Sequence, residues 1–216
     1  MNLLVLDTST DKCALACSVA GEVFENTRSI PRLHNEYLLQ MLEELFSSCE
    51  LKPRDLDVIG FAAGPGSFTG IRISAAVCQA LAVAAQATVV PLSSSMLLAH
   101  AANRSGIEES ALGVQTVLRS RARFAYLGAY DASLKLVSDD VLLDDDVLAS
   151  TDIPAGWLRV MDAPADQAQA VGASVVEVGV RDLLTLTQQA VDSGADLPPE
   201  GAQPRYVQGD TPWVPQ

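Results

Sequence analysis

The stretch that most constrains the fold is Gly64-Pro-Gly-Ser-Phe-Thr-Gly70, which runs straight into Ile71-Arg-Ile-Ser-Ala-Ala-Val-Cys-Gln-Ala-Leu-Ala-Val-Ala-Ala85. Three glycines and a proline in seven residues specify a narrow backbone path, because glycine reaches positive φ at little cost and proline fixes its own φ. Upstream, Val58-Ile-Gly-Phe-Ala62 reads as a short buried strand, and the residues after Gly70 are apolar and helix-compatible, so the unit is strand, glycine loop, helix. Such a loop aims backbone N–H groups at one point where the helix dipole adds positive charge, which suits a phosphate or a carboxylate. No Lys followed by Ser or Thr closes it, however, so the nucleotide P-loop pattern fails. Arg72 puts a cation in the first turn, where the dipole disfavours it; an acidic ligand or partner would account for it, and so would solvent. Packing and shape explain the loop more simply than phosphate binding does.

The helix after the loop is apolar almost all round, with Arg72, Ser74 and Gln79 its clearly polar positions before Gln86. It therefore needs burial on more than one side, inside the chain or against another chain, and its alanines permit close helix approach. A second helix is expected from Leu33 to Cys49, where Leu33, Tyr37, Leu38, Met41, Leu42, Leu45 and Phe46 fall at helical spacing. His34 lies in its first turn with no second histidine three or four residues away, so a surface or capping role is the default.

Before that helix, Leu3 to Leu6 reads as a buried strand ended by Asp7-Thr-Ser-Thr-Asp11, and Cys13–Val19 and Glu22–Arg28 as a hairpin turning at Ala20-Gly21. The acidic and hydroxyl residues at the hairpin mouth suit a phosphate or a metal-bound water; a turn satisfying its own backbone is the plainer reading. Thr88–Pro91 is expected as strand, Ser93 to Ser95 as a cap, and Met96–Ala102 as a short helix. The polar joint from Asn103 to Glu109 marks a domain boundary, dividing a lobe of residues 1–104 from a smaller lobe of residues 105–216 whose last helix packs back on the first lobe.

In the second half, Leu112–Leu118 and Phe124–Tyr130 read as strands around Arg119-Ser-Arg-Ala-Arg123, a basic turn either solvated or contacting an anion. Asp139-Asp140 and Asp144 to Asp146 read as solvated loops lacking the glycine-turned pattern of a cation site. Weaker signals give strands at Trp157–Met161 and Val175–Val178, helices at Asp166–Ala170 and Arg181–Val191, an irregular Leu197–Pro204 linker and a tail with Thr211-Pro-Trp213.

Charge bounds the partners: 27 acidic against 14 basic residues give a formal net charge of −13, a surface that repels nucleic acid. The apolar N-terminal run stops at Asp7, too early for a signal peptide or a membrane span, so a cytoplasmic protein is expected. Cys13, Cys17, Cys49 and Cys78 show neither C-x-x-C spacing nor nearby histidines and read as buried reduced thiols, with no metal site.

Strand, Asp-Thr-Ser-Thr, hairpin, helix, strand and Gly-Pro-Gly-Ser-Phe-Thr-Gly-Ile-Arg-Ile, in that order, resemble the TsaB (YeaZ) family over residues 1 to about 100. The resemblance implies an α/β, actin-like and hexokinase-related (ribonuclease H-like) fold of two lobes, the second reduced. It implies a non-catalytic scaffold that pairs with the related catalytic subunit TsaD, with TsaE supplying ATP-linked turnover. That complex transfers threonylcarbamoyl to N6 of adenosine in tRNAs reading ANN codons. By position, Asp7, Thr8, Ser9 and Thr10 match the family's first loop, His34 its helix-start histidine and Gly64 to Arg72 its signature. Asp7, Thr8, Ser9, Thr10, Gly66, Ser67, Thr69 and Arg72 are the nucleotide or anion candidates, with ATP or ADP admitted at the complex interface and no cofactor required by the chain itself. Arg119-Ser-Arg121, Phe124-Ala-Tyr126 and Tyr206-Val-Gln208 depart from the family's Asp-Ala-Arg, Glu-Val-Tyr and Tyr-Leu-Arg. The two apolar helices are expected side by side, presenting Leu38, Leu42, Leu45, Ile73, Val77, Ala80, Leu81 and Ala84 to the partner's equivalent pair, or to a second copy in a homodimer. The competing readings are a self-sufficient actin-fold transferase, kinase or metallopeptidase-like enzyme, and a module binding a small acidic ligand at Arg72.

Overall fold

Leu3–Asp7 forms β1, buried at every position before Asp7, and Lys12–Val19 (β2) folds back on it with Leu4 opposite Cys17. Ala20 and Gly21 both take positive φ and carry the chain into Glu22–Ser29 (β3), completing the expected hairpin. His34–Ser48 (α1), Val58–Gly64 (β4), Phe68–Ala85 (α2) and Thr88–Ser93 (β5) follow. β4 runs parallel to β1 and β5 parallel to β4, giving a sheet of order β3-β2-β1-β4-β5. The Leu4 and Leu6 side chains share a core with α1 and α2 residues. Val180–Asp192 (α6) packs against β1, β2, β4 and β5, with Thr187 so close over Gly60 that a Cβ there would lie 2.1 Å from its Oγ1. Cover on both sides accounts for the nearly unbroken burial of β1 and β4.

The structure is a computed structural model that describes residues 1–107 and 110–207. Contacts divide the chain into one unit of Met1–Ser93 with Gly179–Pro204 and a second of Ser94–Val178 with the residues from Arg205 onward. The division falls at Ser93, ahead of the polar joint expected near residue 104, because Ser94–Ser105 (α3) packs on second-unit strands. The hydroxyl run at Ser94 and Ser95 thus lies inside the helix, not before it.

In the second unit, Gly113–Arg119 (β6), Phe124–Asp131 (β7) and Leu136–Asp144 (β8) form an antiparallel meander. Trp157–Met161 (β9) adds parallel to β6, and the short Ser174–Val175 (β10) parallel to β9. Asp145–Ser150 (α4) and Ala165–Ala170 (α5) complete it. The order β10-β9-β6-β7-β8 repeats that of the first unit, hairpin strands antiparallel and crossover strands parallel, with its last strand cut to two residues. This is the actin-like two-lobe α/β plan with a reduced second lobe.

Two expectations are corrected here. Asp139 and Asp140 are not in a loop: they lie on β8, where Leu127 faces Val141 and Ala129 faces Ser138, leaving both aspartates opposite Gly128 in a bulge. The bulge turns Asp140 inward, 7% exposed, to accept from Ser95 Oγ on α3. Asp145 and Asp146 open α4, whose Asp144 side chain caps the amides of Asp146 and Val147.

Candidate functional site

The first loop and the glycine loop meet. Ser67 N donates to Ser9 O at 2.8 Å, and Thr8 Oγ1 donates to Gly70 O at 2.7 Å while lying 2.6 Å from Ser74 Oγ. Gly70 must lack a side chain, since a Cβ would stand 1.8 Å from Thr8 O. Gly64 takes φ +108, a conformation glycine supplies. Ser67 is the N-cap of α2, its Oγ accepting from Gly70 N at 3.2 Å. Within Asp7–Thr10, Ser9 N donates to Asp7 Oδ1 at 2.7 Å, and Thr10 Oγ1 accepts from Lys12 N at 3.1 Å.

The candidate anion residues therefore split in two. Thr8 and Ser9 are buried, and Ser9 O fills the space beside Gly66, where a Cβ would be 2.8 Å away. Thr10, Ser67, Thr69 and Arg72 form an exposed outer rim, with Arg72 stacked 3.7 Å over the Phe68 ring. The inner half is thus occupied by the chain's own carbonyls, an arrangement that fixes the launch of α2 and fits a nucleotide phosphate poorly. His34, buried rather than on the surface, has Nε2 at 3.3 Å from Lys12 O and ties α1 to the hairpin mouth.

α2 is long and apolar enough, by length and composition, to cross a membrane, yet here its inner residues Ile71, Ala75, Cys78 and Ala82 are buried, the last three within the first-unit core. Ala76, Ala80, Val83 and Ala84 are exposed, and Ile73, Val77 and Leu81 are half-buried. α1 behaves differently, which corrects the expected surface. Leu38 and Leu45 are 1% exposed and Leu42 4%, because the stripe packs down on β2 and β3. The large apolar side chains exposed on α1 and its N-cap are Leu33, Tyr37 and Leu39. Periodicity marked its apolar stripe correctly, but a stripe facing a sheet and one facing a partner have the same spacing.

Two buried charged groups are ones the sequence did not place in the interior. Arg159 on β9 is 3% exposed and donates to Gln115 Oε1, Leu148 O, Val171 O and Thr151 O at 2.9, 3.2, 2.8 and 2.8 Å. It thereby holds the C-terminal carbonyls of α4 and α5, where a cation is favoured. Asp140 is the other; burial pushes its carboxyl up, partly opposed by Ser95 Oγ and by Arg205, whose Nη2 is 3.9 Å from Asp140 Oδ2 and 2.6 Å from Asp139 Oδ1. The arginines of the β6–β7 turn are engaged locally: Arg119 pairs with Asp145 at 2.5 Å, Arg123 with Asp146 at 3.4 Å, and Arg121 lies 4.8 Å over Phe124. Tyr206 and Val207 are described, but Gln208 and Thr211 to Trp213 lie outside the described residues. No three His, Cys, Asp or Glu side chains converge among the described residues.

Comparison with known proteins places this geometry. The model of the family TsaD: tRNA N6-adenosine threonylcarbamoyltransferase matches residues 23–135. The tRNA threonylcarbamoyladenosine biosynthesis protein TsaB of Haemophilus influenzae is 37% identical over 47% of this chain and 43% of its own length. The TsaB of Escherichia coli is 23% identical over 99% of this chain and 97% of its own. The solved structure of YeaZ from Pseudomonas aeruginosa superimposes with a TM-score of 0.79 at 29% identity, covering 95% of this chain and 99% of that one. With a family match over more than half its length and a YeaZ-like fold over nearly all of it, the chain belongs to the TsaD family and, within it, to the TsaB (YeaZ) group.

Proposed function

We propose that this chain is a non-catalytic subunit in the biosynthesis of threonylcarbamoyladenosine on tRNA, docking the outer face of α2 against its catalytic relative TsaD. The observation that carries the reading is that face. Ala76, Ala80, Val83 and Ala84 are exposed, and no charged residue follows Arg72 within the helix. Small side chains at positions four apart let a second helix approach to an axis separation of about 8 Å, the close end of helix packing. A net charge of −13 leaves the tRNA contact to the partner. The self-filled loop at Thr8, Ser9 and Gly70 fits a chain that positions and does not react; any nucleotide at the interface would meet only the rim of Thr10, Thr69 and Arg72. Turnover linked to ATP falls to TsaE. Without the partner, the same face closes an isologous homodimer.

Capture of this chain by tagged TsaD from the same organism tests the reading. Ala80→Glu and Val83→Glu, both on exposed positions, should abolish capture while leaving the urea midpoint unchanged. Undiminished capture by both folded variants refutes the surface.

A further inference from the structure

We infer that the groove at the C-terminal end of α2 seats an arginine side chain of the partner docked on that helix, an inference that rests on the docking reading above. The groove has a volume of about 380 Å³, with Ala82 and Val83 of α2 as one wall and Leu197, Pro198 and Pro199 as the other. Val83 and Leu197 are 63% and 43% exposed, so both walls offer bare apolar surface, and Val83 belongs to the helix face already assigned to the partner. The far wall is pinned to the strand that follows the helix: Val89 N donates to Leu197 O at 2.9 Å, and Thr88 Oγ1 donates to Asp196 Oδ1 at 2.9 Å. The groove is therefore formed before any partner arrives, which lowers the ordering cost of filling it.

Its electrostatics call for a cation. Gln86 ends α2 in the left-handed conformation at φ 56 and donates its N–H to Ala82 O. The N–H groups that would continue the helix go elsewhere: Ala87 N to Ala82 O, Thr88 N to Asp57 O, each at 3.0 Å, and Val89 N to Leu197 O. The carbonyls of Val83, Ala84 and Ala85 are thereby left as the negative pole of α2, and the last turn carries no basic residue to balance it. The Asp196 carboxylate lines the same groove, aimed by Thr88, and no basic side chain stands among the lining residues. Negative charge between apolar walls is complementary to arginine: the methylene stem lies on Val83 and the Leu197–Pro199 segment, while the planar fork of N–H donors bonds a carboxylate and carbonyls together, which a lysine ammonium does less well. A partner lying on α2 would cover the groove and exclude water, raising the pair above the small worth of an exposed one.

Calorimetric titration of the full chain with TsaD from the same organism tests this. Asp196→Asn keeps the acceptor for Thr88 and removes only the charge; it should weaken binding by at least about tenfold, with the larger loss at low ionic strength. Gln86→Lys gives the helix end a cation of its own and should weaken binding similarly. Both positions are exposed, and an unchanged urea midpoint verifies that each variant is folded. Among single alanine replacements of TsaD's surface arginines, one should cost nothing further when combined with Asp196→Asn, which identifies the seated side chain. Ala80→Glu separates the two readings. If it binds like the parent, the α2 face is wrong and the groove falls with it. If it abolishes binding while Asp196→Asn binds like the parent, or while no arginine couples to Asp196, the groove inference alone is overturned.

Discussion

Replacing Arg159 by leucine removes a buried guanidinium that holds four neutral oxygens, at Gln115, Leu148, Thr151 and Val171. An acceptor left buried without its donor costs about 1–3 kcal/mol, so four unrelieved losses would sum to roughly 4–12 kcal/mol. Part of this is returned, because burial already disfavours the charged side chain, lowering its pKa, and leucine carries no charge to desolvate. Local opening lets water reach some carbonyls, and the net loss settles at about 3–5 kcal/mol, as when one partner of a buried polar pair is removed. With a urea slope of about 2 kcal/mol per M, the second-unit transition should move down by roughly 2 M. Trp157, on the neighbouring stretch of β9, reports it by fluorescence. Arg159→Lys separates charge from shape: a single ammonium cannot span four acceptors on β6, α4 and α5, so it should recover less than half of the loss. A midpoint within about 0.5 M of the parent for Arg159→Leu, or full rescue by lysine, would refute the clamp.

Other outcomes follow from the same geometry. Gly70→Ala forces a methyl to within 1.8 Å of Thr8 O and should destabilise the first unit by about 3 kcal/mol, read by urea unfolding; a loss under about 0.5 kcal/mol would mean the two loops are not fixed as described. Leu42→Glu, 4% exposed, should unfold the first unit and fail to purify as a soluble monomer, since the stripe faces the core; a stable, folded variant would put it on the surface. For Asp140, burial raises the folded carboxyl above its ordinary 3.8, so the folded state binds the proton more tightly than the unfolded one. Its contribution to stability is present at low pH and declines as pH rises through the raised value. The urea midpoint of the parent relative to Asp140→Asn should accordingly fall as pH rises across the carboxylate range, and a rise would contradict the assignment.

What could be read in the sequence was local. Ala20-Gly21 between alternating strands, and the Gly64–Gly70 run before an unbroken apolar segment, encode their conformations within a few residues, and both appear where expected. The direction of α1 was not local: its Leu38, Leu42 and Leu45 stripe suits a sheet below or a helix beside, and only the hairpin arriving from upstream decides. Asp140 read as solvated because an aspartate pair says nothing of a bulge set by Gly128 on another strand. Arg159 gave no signal, since three of its four acceptors are backbone carbonyls at the ends of α4 and α5 and the fourth is the neutral Gln115 side chain, so no acidic partner marks it in the sequence. The anion reading of Thr8 and Ser9 met the same obstacle, as the groups filling the loop are main-chain oxygens.

We propose that this chain supports catalysis done elsewhere through the outer face of α2. The most direct test is reconstitution of threonylcarbamoyl transfer to tRNA by TsaD, TsaE and the threonylcarbamoyl donor, with this chain present, omitted, or replaced by Ala80→Glu. Transfer should require the parent chain, be lost on omission and be lost with Ala80→Glu, while the chain alone transfers nothing. Undiminished transfer on omission, or transfer by the chain without TsaD, would refute a supporting, non-catalytic role.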